Sequence, residues 1–371
     1  MSWLPLGGVR VVDFSMFVPG PFCSAILADL GAEVIKVEPP RGDPGRGYVP
    51  VQFGTENRNK RSIAIDLKNP SSGKIVEKLV SRAHVAVEGF RPGVAKRLGI
   101  DYETLKKVNP QLVYCSISGY GQNGPWKDRP GHDVNYVAAA GGLAFPGQWL
   151  KAPTRSSLPV ADMAGGAFAA IAILSALHAG RSAQLDLSLF ESVFFMAAMR
   201  HGLEAGADPR AHLFPVNDVF QCADGQRLTL GILEEHFWDN FKRCAPGFDG
   251  DEYSTDAKRR AHGDALSALL TKTLKDKTAG DWIELFEKND IPYDLCVTPG
   301  EAAARNPQLK ERKATSGGFA LFPVWADGRR GGELRGGVPK LGEHAREILV
   351  ELGFDDAEIA AYFRDGILAH A

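Results

Sequence analysis

The sequence predicts an α/β fold in two units, the first built on a parallel sheet and the second a smaller α+β unit. Two observations carry this. The first half alternates short β-branched-rich runs with amphipathic segments, the pattern of parallel strands joined by crossover helices. From about residue 219 that alternation gives way to a hairpin signal followed by amphipathic helices. At 371 residues the chain is also too long for one small core. The expected division is a large domain over residues 1–200, completed by 323–371, and a small domain over 218–310. Residues 201–217 and 311–322 are then linkers.

The strands are read at residues 9–14 (VRVVDF), 32–38 (AEVIKVE), 83–90 (AHVAVEGF), 112–118 (LVYCSIS) and 183–189 (AQLDLSL). Between the first two, residues 22–30 form a helix stopped by Gly31. Asn69 and Pro70 suit the cap and first turn of a helix carrying Ile75, Leu79 and Val80 on one face. Residues 163–177 are apolar on every side and predict a helix buried within the assembly, too short to span a bilayer. In the second unit, VFQCADGQRLTLGI turns at 223–225, and helices follow around Trp238, 266–274 and 282–286. HAREILVELG then ends at Gly353, and Asp355 and Asp356 cap AEIAAYFRDGIL.

The composition is that of an ordinary folded chain: 44% hydrophobic, 24% charged, formal net charge -2. Nothing in it favours nucleic acid. No apolar run approaches the roughly 20 residues of a membrane span, and the N-terminus lacks a cationic segment ahead of an apolar core, so the expected place is the cytoplasm with no membrane partner. Five scattered cysteines make no CxxC pair, and no histidine stands at ligand spacing, so no metal site is expected. Cys23 and Cys115 lie in apolar runs and read as inert buried thiols.

One motif is discounted. GYGQNG, residues 119–124, matches a dinucleotide-binding pattern after a strand, but such a loop must open a helix whose N-terminus faces the pyrophosphate. Here PWKDRPG follows, with prolines at 125 and 130. No nicotinamide or flavin is expected, although a glycine turn at a strand end remains a place where ligands approach backbone.

Four segments carry candidate chemistry: NRNKRS (57–62), EGFRPG (88–93), GHDVNY (131–136) and VADMAGG (160–166). Arg58, Lys60 and Arg61 are either a solvated loop or a phosphate site. His132 and Asp162 each precede an apolar stretch with glycines nearby, which places them at element ends facing a cleft. Asp133 reads as structural, because neighbours on an extended chain point apart.

Together with LADLGAEVIKVEPPRGD, NRNKRSIAIDLK, VEGFRPGVAKRLGIDYETL, LVYCSISGYGQNGP and PKLGEHAREIL, these segments resemble the family III CoA transferases and their relatives, the 2-methylacyl-CoA racemases. The resemblance runs over almost the whole chain. It implies a Rossmann-like large domain, a smaller domain and a homodimer of two chains interlinked like rings, with sites between unlike domains. It implies coenzyme A, as an acyl-CoA thioester, for the substrate. The CoA contacts it carries over are Arg41, Ile65, Asp66, Leu67, Lys68, Gly89, Phe90, Arg91 and Arg97, with Gly131, Asp133 and Tyr136 from GHDVNY. Guanidinium and ammonium groups among them suit CoA phosphates.

For chemistry, the resemblance implies two alternatives. In the transferases the residue matching Asp162 attacks the thioester and passes through an aspartyl acyl anhydride. In the racemases that aspartate and the histidine matching His132 move protons at opposite faces of the α-carbon, and a small-domain glutamate matching Glu234 supports the imidazole. Transferases more often carry an aromatic residue where His132 stands, so GHDVNY favours the racemase. Two departures are visible: Ala161 replaces the usual glycine before the aspartate, and RAHLFPVNDVF replaces a glycine-rich, aromatic segment. A CoA-ester-binding protein without turnover is the third reading.

Overall fold

Five strands of a six-stranded parallel sheet form the centre of the molecule because each is buried on both faces, which a covered parallel sheet allows, while the sixth is an edge strand with alternate residues exposed. The computed structural model describes residues 3–204, 206 and 208–369. Its strands are β1 (Arg10–Asp13), β2 (Glu33–Glu38), β3 (Lys60–Ile65), β4 (Val85–Glu88), β5 (Val113–Ser118) and β6 (Ala183–Ser188). They run parallel in the order β3-β2-β1-β4-β5-β6, and a closing strand, Leu368–Ala369, pairs antiparallel with β3. That order is the doubly wound one, and the chain reverses its direction of travel across the sheet at β1. The loops after β1 and β4 therefore part, leaving a crevice at the carboxyl ends of the strands.

Two compact units are formed. The first comprises residues 1–140, 157–196 and 306–371; the second comprises 141–156 and 197–305. Residues 141–156, placed by sequence in the large domain, thus cluster with the second unit. That unit holds an antiparallel sheet of β7 (Val219–Gln221), β8 (Arg227–Leu230) and β9 (Tyr293–Leu295) against an aromatic core of Trp238, Phe241, Trp282 and Phe286. The hairpin closes at Gly225, whose φ of +80° is left-handed.

Two sequence readings are corrected. NRNKRS is not a solvated loop or a phosphate site. Lys60 opens β3, and its ammonium is buried against Asp13 Oδ2 at 3.2 Å, Ser24 Oγ at 2.8 Å, Asn57 Oδ1 and the Pro21 carbonyl at 3.0 Å each. Arg58 pairs with Asp29, and Arg61 with Glu33 and Glu351. The apolar helix is also longer than expected. It spans Val160–His178, 19 residues, long and apolar enough by length and composition to cross a membrane. One side packs on helix α1 (Pro19–Asp29), where a Cβ at Gly166 would stand 2.6 Å from the Pro19 carbonyl oxygen. The opposite side is open, with Ile171 57% exposed.

Lys60→Met leaves the Asp13 carboxylate buried beside lost donors, and urea unfolding is expected to show a loss of about 3–5 kcal/mol. A loss under about 1 kcal/mol would remove the ion pair from the fold's main supports.

Candidate functional site

The crevice at the switch point deepens into a cavity of about 380 Å³. Its walls come from the loop after β1 (Phe17, Val18), the loop after β4 (Gly89 to Arg91) and the end of β5 (Ser118). His132, Tyr136 and Asp162 complete it. A wider hollow of about 600 Å³ beside Lys340, Arg346 and Phe363 is more open and offers no histidine. The acid/base groups collect in the smaller one.

Asp162 lies in the first turn of Val160–His178. That helix end is capped from outside itself: Asp133 Oδ1 accepts the Ala161 N–H at 2.7 Å and the Asp162 N–H at 3.4 Å. Burial first, and then the neighbouring Asp133 charge, push the Asp162 carboxyl up to about 7. The positive end of the helix works against this rise and is outweighed.

His132 immediately precedes the helix Asp133–Ala139 in an extended conformation (φ -130°, ψ 176°), so it and Asp133 diverge. Asp133 turns under the neighbouring helix and is buried, while His132 is exposed at the cavity. The His132 N–H is held by Asn135 Oδ1 at 3.0 Å. Tyr136 packs beneath them and donates its hydroxyl to the Gly131 carbonyl at 2.6 Å; burial raises that phenol to about 12. Added Cβ atoms at Gly119 and Gly131 would meet the Tyr136 ring at 2.6 and 2.7 Å, which explains both glycines.

The other candidates divide. Gly89, Phe90 and Arg91 line the cavity, with the Phe90 N–H held by Glu88 Oε2 at 2.8 Å. Ile65 does not face a ligand: its side chain is fully buried in the core, at the pairing with Leu368. Asp66 shapes the turn after β3, accepting the Lys68 N–H and donating its own to Ile367. Arg41, Lys68 and Arg97 are exposed and Leu67 is half-buried, beyond the carboxyl ends of β2, β3 and β4, with Arg97 closing the short helix Val94–Arg97. Glu234 is exposed in the second unit, as N-cap of the helix Glu235–Cys244. Asp133 holds backbone rather than ligand.

The sequence reading missed Lys127 and Arg129, which line the cavity from the PWKDRPG turn. Their signal was two cations in a glycine- and proline-bounded turn directly after a strand end. The GYGQNG segment before it carries Gly121 and Gly124 at φ +86° and +84°, and the next helix begins only at Asp133. Among the described residues no cluster of three or more His, Cys, Asp or Glu is arranged for a metal.

The family model for CoA-transferase family III matches residues 6–345. The chain belongs to CoA-transferase family III. An acetyl-CoA:oxalate CoA-transferase of Acetobacter aceti is 34% identical, over 95% of this chain and 97% of its own. The α-methylacyl-CoA racemase of Homo sapiens is 30% identical, over 98% of each. A CAIB/BAIF family protein from Brucella suis has the same fold, with a TM-score of 0.84 and 28% identity over 95% of this chain and all of its own. As a member of CoA-transferase family III, the chain is an enzyme of CoA-linked substrates, and both branches of chemistry occur among its relatives.

The raised Asp162 carboxyl has a pH signature. Its folded value of about 7 lies above the ordinary 3.8, so its contribution to stability is full below about pH 4 and is lost as pH rises through 7. Asp162→Asn removes that loss. Relative to wild type it is expected to gain on the order of 2–4 kcal/mol between pH 5 and pH 8 by denaturant unfolding. An equal difference at the two pH values would show that Asp162 is ordinary.

Proposed function

We propose that the chain racemises the α-carbon of 2-methyl-branched acyl-CoA thioesters by two-base proton transfer. The observation that carries this reading is the pairing of His132 with Asp162 on one cavity, the carboxyl poised at about 7. One group removes the α-proton, an enolate forms, and the other returns a proton to the opposite face. A carboxyl half-ionised near neutrality serves both directions, as base from one enantiomer and as acid from the other. Asp133 holds the Ala161 amide at 2.7 Å but the Asp162 amide only loosely, at 3.4 Å. The Asp162 N–H, at a helix N-terminus, is therefore the donor we assign to the enolate oxygen.

In this reading CoA lies along the strand ends, its phosphates on Arg41, Lys68, Arg91 and Arg97 and its pantetheine arm over Gly89 and Phe90. Two chains interlink as a homodimer, and Glu234 of the second copy supports the imidazole of His132.

The second reading is CoA transfer through an Asp162 acyl anhydride, favoured by the 34% identical relative named as a transferase. Proton NMR of 2-methylacyl-CoA in deuterated water separates the two. Wild type is expected to wash out the α-proton, and His132→Ala and Asp162→Asn to slow this by at least about 100-fold. No exchange with wild type, alongside a trapped Asp162 adduct, would replace racemisation with transfer. The pH profile gives a further expectation. One limb near pH 7 rises for the enantiomer from which Asp162 abstracts and falls for the other. Matching slopes for both would take Asp162 out of the proton path.

A further inference from the structure

Glu88 is a buried carboxyl that the chemistry at His132 and Asp162 leaves unused. It ends β4, is 2% exposed, and lies directly behind the cavity loop of Gly89, Phe90 and Arg91. Its Oε2 accepts the Phe90 N–H at 2.8 Å, while the far end of the loop is fixed by the Val94 N–H on the Arg91 carbonyl at 3.1 Å. A trans peptide points its N–H and C=O in opposite directions. With the Phe90 N–H turned inward to Glu88, the Gly89 carbonyl of the same peptide is turned away from that carboxyl, and nothing among the described residues donates to it. The loop thus offers an unspent acceptor whose direction Glu88 sets. The surroundings of Glu88 bring no cation to it. Ser116, in register with it on β5, bonds to the carboxyl, and Asp186 on β6 repels its charge. Tyr114 and Cys115 on β5 are kept neutral by burial, and the β1 side brings Phe14. Arg91, Lys96 and Arg97 are exposed. Burial first lifts the Glu88 carboxyl to about 6, Asp186 adds to the rise, and Ser116 and the Phe90 N–H oppose it.

We propose that Glu88 is a positioning residue that links CoA binding to a proton: in its ionised form it holds the Phe90 N–H and so aims the Gly89 carbonyl at an amide N–H of the pantetheine arm. This rests on the placement of CoA over Gly89, Phe90 and Arg91. The sign follows from what each form of the carboxyl can bond. An ionised carboxylate only accepts, and its bond to an N–H is roughly twice as strong as a neutral one. A protonated carboxyl also donates, so it holds the N–H less firmly and the carbonyl is no longer compelled to face outward. CoA therefore binds the ionised form more tightly, and by reciprocity bound CoA drives the Glu88 proton off. The turn by itself needs no charge, because a neutral amide oxygen would accept the same N–H without burying an anion.

The probe is dephospho-CoA, which keeps the pantetheine arm and the diphosphate but lacks the 3′-phosphate, whose own ionisation at about pH 6 would imitate the effect. Calorimetry follows its binding to wild type, Glu88→Gln and Glu88→Asp between pH 5 and pH 8. Comparing wild type with Glu88→Gln at each pH cancels the titration of His132 and Asp162, which both proteins share. The ratio of their affinities is expected to rise about 5-fold in favour of wild type from pH 5 to pH 7.5, the figure for a one-unit drop in the Glu88 value on binding. In buffers of unlike ionisation heat, wild type should release roughly 0.4 proton more than Glu88→Gln at pH 6 on the same basis. Glu88→Asp, which keeps the charge, should retain part of both effects. A ratio that stays flat, or equal proton release by the two proteins, leaves Glu88 a simple turn-former and overturns the proposal. The nitrogen chemical shift of the Phe90 amide in the free protein needs no variant and no ligand. It should titrate near pH 6 in wild type, and an amide that does not titrate there overturns the proposal as well. If wild type binds no dephospho-CoA, the placement of CoA on this loop falls, while titration of that amide still upholds Glu88 as the residue that orients the peptide. Neither measurement involves turnover, so the choice between racemase and transferase does not enter. Matching thermal unfolding of wild type and variants shows that the fold is kept.

Discussion

The cavity wall depends on four charges buried below it. Asp13, Lys36, Asp43 and Lys60 are all fully or almost fully withdrawn from solvent, at the carboxyl ends of β1 and β2, in the loop after β2 and at the start of β3. Charges so placed cost several kcal/mol each unless every donor and acceptor is used. Here the use is thorough. Lys60 spends its protons on Asp13, Ser24, Asn57 and the Pro21 carbonyl, and Lys36 binds Asp43 at 2.9 Å and the Ser15 carbonyl at 3.0 Å. Two of these contacts fasten backbone that leads into the cavity. Ser15 is tied by its carbonyl, and Phe17 by an N–H to Asp43 Oδ1 at 3.3 Å. Phe17 sits at φ +65°, a conformation that a bulky residue keeps only when its surroundings impose it. The ion network supplies that restraint, and through it the start of α1 faces the crevice.

Asp133 plays the corresponding part on the opposite wall. One carboxylate caps the helix that carries Asp162 and, by its charge, helps lift the Asp162 carboxyl to about 7. Position and protonation state thus have a common source. The price is that a buried anion lies beside a site that must itself become anionic, which is tolerable because the Ala161 N–H already shares the Asp133 charge.

Strand and helix periodicity in the first half was legible because parallel strands are continuous apolar runs and their crossovers end at glycine or begin at Asn-Pro. β3 was not legible. Its first two residues are Lys60 and Arg61, and nothing local distinguishes a paired, buried lysine from a solvated one when its partner is 47 residues away. Ile65 is the reverse case. It stands in a segment that the resemblance assigns to CoA, but its position at the end of β3 turns it into the core, and only the exposed turn beyond it is free for a ligand. His132 and Asp162 were found because each opens an apolar helix after glycine- or proline-marked backbone. Lys127 and Arg129 were missed because two cations in a glycine- and proline-bounded turn read as an ordinary solvated turn until the cavity beside them is known.

The two chemistries open to Asp162 make opposite demands on its acidity. Transfer requires the carboxylate to attack a thioester and then to leave when CoA attacks the anhydride, and a carboxylate leaves more readily the lower its pKa. Proton transfer at an α-carbon is helped by a stronger base and is most efficient when the pKa lies near the working pH. Burial and Asp133 both raise Asp162, and the cations on the same cavity do not bring it back down. The electrostatics of the cavity therefore spend stability to hold a carboxyl where it exchanges protons well and departs poorly.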